Sequence, residues 1–231
     1  MIASTVFAVL ACLIPSAVGT PLTSLLTRPD TQPWPYSPGV RETVSPPRDA
    51  HRYCFVKPSR KGGDDSGNIL KAFHDCNHGG TVVLYSNYTV TSPLDLTFLE
   101  HIDVAITGTI NFGTDLPYWT EHSFKYAYQD SSAFWRFGGK DVNIFGHGVG
   151  LINGNGQPWW DAAPLNSTLL RPILFVLDGL HGGSVTGLRM INPPNVSLHT
   201  GNIERGKKGG VPLLTRSTVV QPDRQQYRHS D

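Results

Sequence analysis

The chain has 231 residues, which is room for one domain with an appended segment. Its formal net charge of +1 gives no electrostatic reason to expect nucleic acid or an anionic membrane as a partner. Charged residues make up only 16% of the chain, which also holds 24 Gly and 18 Pro. This composition argues against a helical bundle and favours a β-rich fold with many turns.

The first nineteen residues are predicted to be a signal peptide. An apolar stretch over residues 2–14 is followed by Pro15 and by three small residues at 17–19, which place the mature N-terminus near Thr20. The segment before the apolar stretch carries no Lys or Arg, which departs from the usual pattern. The alternative is a membrane anchor, but the stretch is shorter than the roughly 20 residues that a spanning helix needs. The pattern therefore predicts secretion to the extracellular space.

Export to an oxidising compartment predicts a disulfide between Cys54 and Cys76, because Cys12 leaves with the signal peptide. A loop of this size should stabilise the fold by roughly 3 kcal/mol through the unfolded state. The alternative is a pair of free buried thiols.

The same compartment permits N-glycosylation at Asn-X-Ser/Thr triplets. The chain has three of these, beginning at Asn87, Asn166 and Asn195.

Residues 20–51 are rich in proline and lack hydrophobic periodicity, which predicts a leader or an extended arm. Proline interrupts both helices and strand ladders, so this segment cannot form a long continuous element. The prolines that carry the argument are Pro29, Pro33, Pro35, Pro38, Pro46 and Pro47.

A short helix is predicted after the leader, because Asp64-Asp65-Ser66 can accept hydrogen bonds from the free N–H groups of a first turn. A strand from Thr81 to Tyr85 follows it. The apolar helical positions share one face, which predicts a cap over the exposed end of a sheet structure. They are Ile69, Ala72, Phe73 and Cys76.

Short strands separated by Gly or Asn follow, at 103–110, 141–146, 151–154, 184–188 and 190–192. Aligning Ile106 with Ile144 and Ile144 with Val185 gives offsets of 38 and 41 residues, which is too irregular for a strict repeat array. The pattern fits the coils of a parallel β-helix, whose loops vary in length. An antiparallel sandwich would also give short alternating strands.

Several longer segments occur in a characteristic order. They are CFVKP from Cys54, GGDDSGNILKAFHDCNHGGTVV from Gly62, LDLTFLEHIDVAITGTINF from Leu94, the Tyr118-Trp119 pair, GKDVNIFGHGVGLINGNGQPWWD from Gly139 and LLRPILFVLDGLHGGSVTGLRMINPPN from Leu169. This set resembles glycoside hydrolase family 28, the polygalacturonases, and is most similar to fungal exo-acting members. The resemblance implies an all-β fold, the right-handed single-stranded parallel β-helix, and inverting hydrolysis of α-1,4-linked galacturonic acid without a cofactor.

Family 28 takes its catalytic groups from Asn-Thr-Asp, Asp-Asp, Gly-His-Gly and Arg-Ile-Lys motifs on consecutive downstream coils. Asn-Thr-Asp and Arg-Ile-Lys do not occur in the chain, and the only Asp-Asp is the helix-capping pair at Asp64. The Gly-His-Gly around His147 falls in an early structural coil, where a turn is expected. We therefore expect this sequence to contain no catalytic residue and no metal ligand. We also expect the chain by itself to be catalytically inactive.

The family likeness is expected to end at Asn195. The four predicted regions are a signal peptide (1–19), a Pro-rich leader (20–51), the N-terminal part of a polygalacturonase-like β-helix (52–195) and a non-homologous basic tail (196–231). The tail holds six basic and three acidic residues and has no convincing strand alternation. The alternative is a genuine basic tail that binds acidic pectin, although charge runs are usually solvated surface. A β-helix truncated there would expose strand edges and be prone to aggregate.

The leading hypothesis is a secreted, monomeric, pectin-degrading glycosidase of the exopolygalacturonase type, acting on pectin or oligogalacturonides, with no nucleic-acid or membrane partner. The main alternative is a catalytically inactive saccharide-binding β-helix, in which Tyr118, Trp159 and Trp160 would stack on sugar rings or else pack loops against the coils. A pectate lyase would need clustered acidic Ca²⁺ ligands, and none occur at suitable spacing. A structural or adhesive solenoid is the remaining alternative.

Overall fold

The computed structural model describes residues 22–29, 45–127, 131–201 and 218–220. The predicted signal peptide lies outside these residues, as do the middle of the leader and most of the tail. Within them the chain winds into a right-handed parallel β-helix, so the predicted fold class is confirmed. No helix in the described ranges is both long and apolar enough to cross a bilayer.

Sheet A is the largest sheet, and its strands pair in parallel from one coil to the next. Strands and helices are numbered along the chain. Across sheet A the order is β1 (Tyr53–Phe55), β2 (Thr81–Leu84), β5 (Glu100–Ile106), β9 (Trp135–Phe145), β12 (Phe175–Thr186) and β14 (Leu198–Gly201), with β4 (Leu94–Leu96) also paired to β9.

Sheets B and C complete the coils. Sheet B is parallel throughout, and sheet C contains one antiparallel pair, β7 with β8. Sheet B contains β3 (Asn87–Val90), β6 (Thr109–Phe112), β10 (Leu151–Asn153), β13 (Arg189–Ile191) and β15 (Thr218–Val220), and sheet C contains β7 (Phe124–Tyr126), β8 (Ser131–Ala133) and β11 (Pro172–Ile173). The α-helices are α1 (Leu22–Leu26), α2 (Ser66–Cys76), α3 (Leu116–His122) and α4 (Gln157–Ala162), and a 3-10 helix spans Arg60–Gly62.

The interior of the β-helix is built from apolar side chains that stack in register between coils. In sheet A, Val82 pairs with Val104, Val104 with Ile144, and Ile144 with Val185, and all four side chains are buried. The predicted alignment of Ile106 with Ile144 is therefore wrong by two residues. Side chains along a strand alternate between its two faces, so a two-residue shift leaves the pattern unchanged and the sequence cannot detect it.

A glycine pair lies where β9 changes its partner strand. The first part of β9 pairs with β4 and the later part with β5. Gly139 has φ +97°, and a Cβ atom there would lie 1.9 Å from the carbonyl oxygen of Leu99. Only glycine fits this left-handed position so close to the neighbouring backbone.

Helix α2 covers the N-terminal end of the β-helix, as predicted. It contacts β1, β2 and β4, and the predicted apolar face is buried. The structure contains the Cys54–Cys76 disulfide, which joins β1 to the last residue of α2. The first coil is therefore fixed covalently to the helix that covers it.

The two acidic residues before α2 have different roles. The Asp64 carboxylate accepts hydrogen bonds from the backbone N–H groups of Ser66 and Thr91, so it caps the first turn. Burial alone would raise the pKa of Asp64, but these hydrogen bonds lower it. Asp65 is buried and makes no side-chain cap, so the prediction is wrong for this residue. Its carboxylate instead accepts from the backbone N–H of Thr89 in β3, which ties the helix to sheet B.

Strands continue beyond Asn195. Leu198 of β14 pairs with Phe175 of β12, and Val220 of β15 pairs with Ile191 of β13. The expectation that the tail lacks strands is therefore wrong for residues 198–201 and 218–220. Sheets A and B each gain a strand there.

The described parts of the leader, residues 22–29 and 45–49, lie against the outer face of sheet A, and we call them the strap. Leu26 of the strap packs on three outward-facing apolar residues, Val83, Ala105 and Phe145, which form a cluster separate from the interior. The strap therefore covers apolar surface that would otherwise face water.

Arg48 is the polar anchor of the strap. Its side chain is 4% exposed, and its Nε lies 3.0 Å from Asp103 Oδ1 while a guanidinium nitrogen lies 2.9 Å from Asp141 Oδ2. Arg28 also reaches Asp103, at 3.3 Å. Burial raises the pKa of Asp103 even though both arginines lower it. Asn143, on the neighbouring strand β9, also donates a hydrogen bond to the Asp103 carboxylate.

Replacing Arg48 with Leu should destabilise the fold by about 3–5 kcal/mol, because the buried Asp103 would lose its main counter-charge. Urea unfolding followed by circular dichroism measures the change. The matched control is Arg60→Leu, since the exposed Arg60 side chain makes no ion pair within the described ranges. Equal unfolding midpoints for the two variants would show that the strap does not stabilise the β-helix.

The Asp141 carboxylate should make the stability depend on pH. Burial alone would raise its pKa, but hydrogen bonds from Arg48, Ser45 and His101 lower it from 3.8 to about 2. A lowered carboxyl pKa adds stability above the unfolded value, and this contribution is lost as the pH falls from about 4 to about 2. The raised pKa of Asp103 has the opposite effect on the pH dependence of stability, but Asp103 is present in both the parent and the Asp141 variant described next.

We therefore expect Asp141→Asn to be less stable than the parent by about 2 kcal/mol at pH 6. The difference should shrink towards zero near pH 2. Chemical unfolding of the two proteins at a series of pH values measures it. A difference that stays constant down to pH 2 would exclude Asp141 as the titrating group.

Candidate saccharide-binding surface

A cleft of about 390 Å³ opens at one edge of sheet B. Parallel strands end at the same edge of a sheet, so the residues after β6, β10 and β13 meet there. The cleft is lined by Thr114, Asn155, Gln157, Pro158, Trp160 and Asn192. Three consecutive coils thus contribute to one surface.

An asparagine ladder runs across the coils of sheet B and reaches the cleft at Asn192. Asn111 Nδ2 donates to Asn87 Oδ1 at 2.6 Å, Asn153 Nδ2 donates to Asn111 Oδ1 at 3.1 Å, and Asn192 Nδ2 donates to Asn153 Oδ1 at 3.1 Å. Each amide therefore donates to the coil before it. Asn155 and Asn192 have φ values of +45° and +48°, a left-handed conformation that asparagine adopts more readily than most residues.

The two adjacent tryptophans of α4 point in different directions. Trp159 is fully buried and packs edge-on against Phe134, with ring centroids 5.6 Å apart. The prediction that Trp159 contacts a saccharide is therefore wrong, because its ring fills the interior. Trp160 is half-buried, lines the cleft, and donates from Nε1 to the carbonyl oxygen of Pro193 at 2.8 Å. The guanidinium of Arg171 lies 4.2 Å from its ring centroid.

Tyr118 lies on α3, outside the cleft. Its ring stacks on His122, with centroids 4.2 Å apart, and meets Trp119 edge-on. Trp119 is buried against Phe134 in the interior. One face of the Tyr118 ring is therefore occupied by protein. Of the three predicted sugar-contacting residues, only Trp160 lines the cleft.

Sequence reasoning missed the polar side chains of the cleft, although the sequence contains a signal for them. An Ile-Asn pair recurs in sheet B at 110–111 and 152–153, where an inward isoleucine is followed by an outward asparagine. The next ladder residue, Asn192, comes one position later, because Met190 is in register with Ile152 and Ile191 with Asn153. Thr114 and Gln157 have no comparable signal, since they lie in loops of different length.

Arg136, on sheet A, forms ion pairs with two carboxylates. Arg136 lies 2.6 Å from Asp95 and 3.6 Å from Asp178, and its guanidinium is 4.5 Å from the ring centroid of Phe124. Burial alone would raise the pKa of Asp95, but the hydrogen bonds from Arg136 and Thr97 together lower it. Burial also raises the pKa of the neighbouring Tyr126 to about 12. Arg136 is therefore committed to two carboxylates.

His147 is placed in a turn directly after β9. It has φ +50°, and its Nε2 lies 2.9 Å from the carbonyl oxygen of Thr27 in the strap. Its ring also meets Phe145 edge-on. These contacts fit the turn role expected from the sequence. In the described ranges no three His, Cys, Asp or Glu side chains are grouped to hold a metal ion.

The three glycosylation triplets differ in their surroundings. Asn166 is exposed, and its Oδ1 accepts from the backbone N–H and the hydroxyl of Thr168. Asn87 is also exposed, and only its Oδ1 takes part in the ladder. Asn195 donates from Nδ2 to the carbonyl oxygen of Arg171, and Ser197 of the same triplet is buried.

Comparison with known proteins places the chain in a family. The model of glycosyl hydrolases family 28 matches residues 83–208, which extends beyond the end expected at Asn195. Exopolygalacturonase X-2 of Emericella nidulans is 48% identical over 168 residues, covering 73% of this chain and 37% of that protein. Exopolygalacturonase A of Aspergillus niger is 45% identical over 169 residues, covering 72% of this chain and 38% of that protein. The chain thus spans little more than a third of these curated relatives.

A solved structure agrees with this placement. The crystal structure of endo-xylogalacturonan hydrolase from Aspergillus tubingensis superposes with a TM-score of 0.55 at 28% sequence identity. The superposition covers 65% of this chain and 39% of that one. The chain belongs to glycosyl hydrolases family 28.

Proposed function

We propose that this chain is part of a secreted exopolygalacturonase-like enzyme that degrades pectin by inverting hydrolysis of α-1,4-galacturonosidic bonds. The observation that carries the proposal is the 45–48% identity to exopolygalacturonases of two fungi. The parallel coils and the exposed cleft at their edge are consistent with a protein that meets a polysaccharide.

The catalytic carboxyl groups are proposed to lie outside this sequence. Inverting hydrolysis needs a protonated carboxyl on one side of the glycosidic bond and an ionised one on the other, roughly 6.5–9.5 Å apart. The acids described above already have structural partners: Asp64 caps α2, Asp65 binds the Thr89 backbone, Asp103 and Asp141 bind the strap, and Asp95 pairs with Arg136. None of these acids lines the cleft.

We expect the isolated chain to release no galacturonate from polygalacturonate. Loss of general acid and base groups costs about 10²–10⁴ in rate for each group removed. Reducing-end assays and chromatography of the products measure the release. Full-length exopolygalacturonase X-2 of Emericella nidulans, assayed at the same concentration, is the positive control. Release within tenfold of that control would contradict the proposal that the catalytic groups lie elsewhere.

A catalytically inactive saccharide-binding role is the second candidate function. It is favoured by Trp160, whose half-exposed ring borders a cleft with hydrogen-bonding side chains. Stacking of a sugar on an indole and hydrogen bonds to its hydroxyl groups are compatible with such a surface. Binding without hydrolysis in the assay above would support this role.

Secretion and glycosylation are proposed from the signal sequence and the triplets. In a eukaryotic secretion host the chain should leave the cell with a new N-terminus near Thr20 and with glycans at Asn87 and Asn166. Asn166→Gln should remove one glycan, seen as a mass step that glycosidase treatment abolishes. Asn195→Gln is the matched control and should not change the mass pattern, because its amide is hydrogen-bonded and Ser197 is buried. Loss of a glycan in that control would contradict the assignment.

A further inference from the structure

We propose that the cleft beside Trp160 binds a neutral sugar, a pentose or hexose unit of a polysaccharide, in preference to uronate. This rests on the second candidate function, saccharide binding at the Trp160 cleft, and adds the class of sugar that is bound. The proposal concerns binding by this chain itself, so it holds or fails independently of hydrolysis.

The size and the wall of the cleft fit a sugar ring. Its volume of about 390 Å³ lies within the range of about 300–1,000 Å³ that small-molecule sites occupy. Trp160 is held in place by its hydrogen bond to Pro193 and by the overlying Arg171. Arg171 lines a separate, smaller cleft of about 250 Å³ and is not among the lining residues of the larger one.

The polar groups of the cleft present acceptors. Asn192 uses its Nδ2 to donate to Asn153, and Gln157 uses its Nε2 to donate to Asp161 at 2.7 Å. Within the described part of the chain, Asn192 Oδ1, Gln157 Oε1 and the Thr114 hydroxyl have no hydrogen-bond partner. Sugar hydroxyl groups can donate to these oxygens and can accept from the Thr114 hydroxyl and from the second hydrogen of each amide, so the lining matches hydroxyl groups in both directions.

Charge also favours a neutral ligand. None of the six lining residues carries a charge. Two charged groups touch the lining from outside: the carboxylate of Asp161, hydrogen-bonded to Gln157, and the guanidinium of Arg171, 4.2 Å from the Trp160 ring centroid. A uronate entering the cleft would lose hydration without a cation among the lining residues to compensate for it. This loss raises the free energy of the bound uronate relative to a neutral sugar, which is how a site gains specificity.

The test is calorimetric titration of the full chain with xylose, arabinose and galactose oligomers and with an oligogalacturonate of equal length. We expect at least one neutral oligomer to bind with an affinity that does not change between low and high salt. We expect oligogalacturonate to bind at least about tenfold more weakly, since its carboxylates would be desolvated against a lining that holds no cation.

Variants of the cleft test whether the sugar binds there, and they separate the effect of hydrogen bonding from the effect of charge. Gln157→Leu and Thr114→Val should each weaken binding of the neutral oligomer by about fivefold to tenfold, the usual effect of losing one hydrogen bond. The matched control is Thr120→Val, at an exposed position of α3 outside the cleft. Asp161→Asn keeps an acceptor for Gln157 but removes the charge. It should leave the neutral affinity unchanged and strengthen oligogalacturonate binding.

Three results would overturn the proposal. They are absence of binding to every neutral oligomer, oligogalacturonate binding as tight as the best neutral oligomer, and neutral affinities of Gln157→Leu and Thr114→Val equal to that of Thr120→Val. Because Gln157 and Thr114 are exposed, their variants should keep the parent's unfolding midpoint, which separates loss of the site from loss of the fold.

Discussion

In-register stacking of inward side chains is the constraint on which the rest of the structure depends. A single coil cannot bury its apolar face alone, so Val104 is buried only because Val82 and Ile144 lie directly on either side of it. Once the coils are aligned in this way, their strands end together at one edge. The asparagine ladder and the cleft are both consequences of that common edge, although the loops that supply Thr114 and Gln157 have different lengths.

The outer face of sheet A shows why the leader is part of the fold. Strand alternation places two kinds of row on this face: an apolar row with Val83, Ala105 and Phe145, and a polar row with Asp103 and Asn143. Both rows need a covering segment. The first row would expose apolar side chains to water, and the second contains the buried carboxylate of Asp103, which needs a counter-charge. The strap covers the first with Leu26 and neutralises the second with its arginines. The strap has no hydrophobic periodicity of its own, so the side chains of the strands beneath it determine where it binds.

Period-two patterns and helical spacing in the sequence predicted the cap helix, the strands β2, β5, β6, β10 and β13 and parts of β9 and β12. The family was predicted from the resemblance of the ordered segments. The patterns could not determine the register, since Val104 and Ile106 face the same way. They also could not distinguish Trp159 from Trp160, because both lie in one short helix and only tertiary packing decides which ring is interior. The role of Asp65 was missed for a similar reason: its partner is the backbone of Thr89, which is distant in sequence.

The Cys54–Cys76 disulfide gives the β-helix a direction of assembly. The two cysteines are 22 residues apart, and the loop they close contains the whole of α2. Neither belongs to a later coil, so oxidation requires none of the strands after β2. Loops of about this size bring their ends together far faster than a ribosome adds residues, so the two thiols can meet before the later coils are synthesised. The bond itself forms at a pace set by the oxidant, and once formed it holds β1 against α2 as the edge on which Thr81–Leu84 stacks, with each later coil adding in turn.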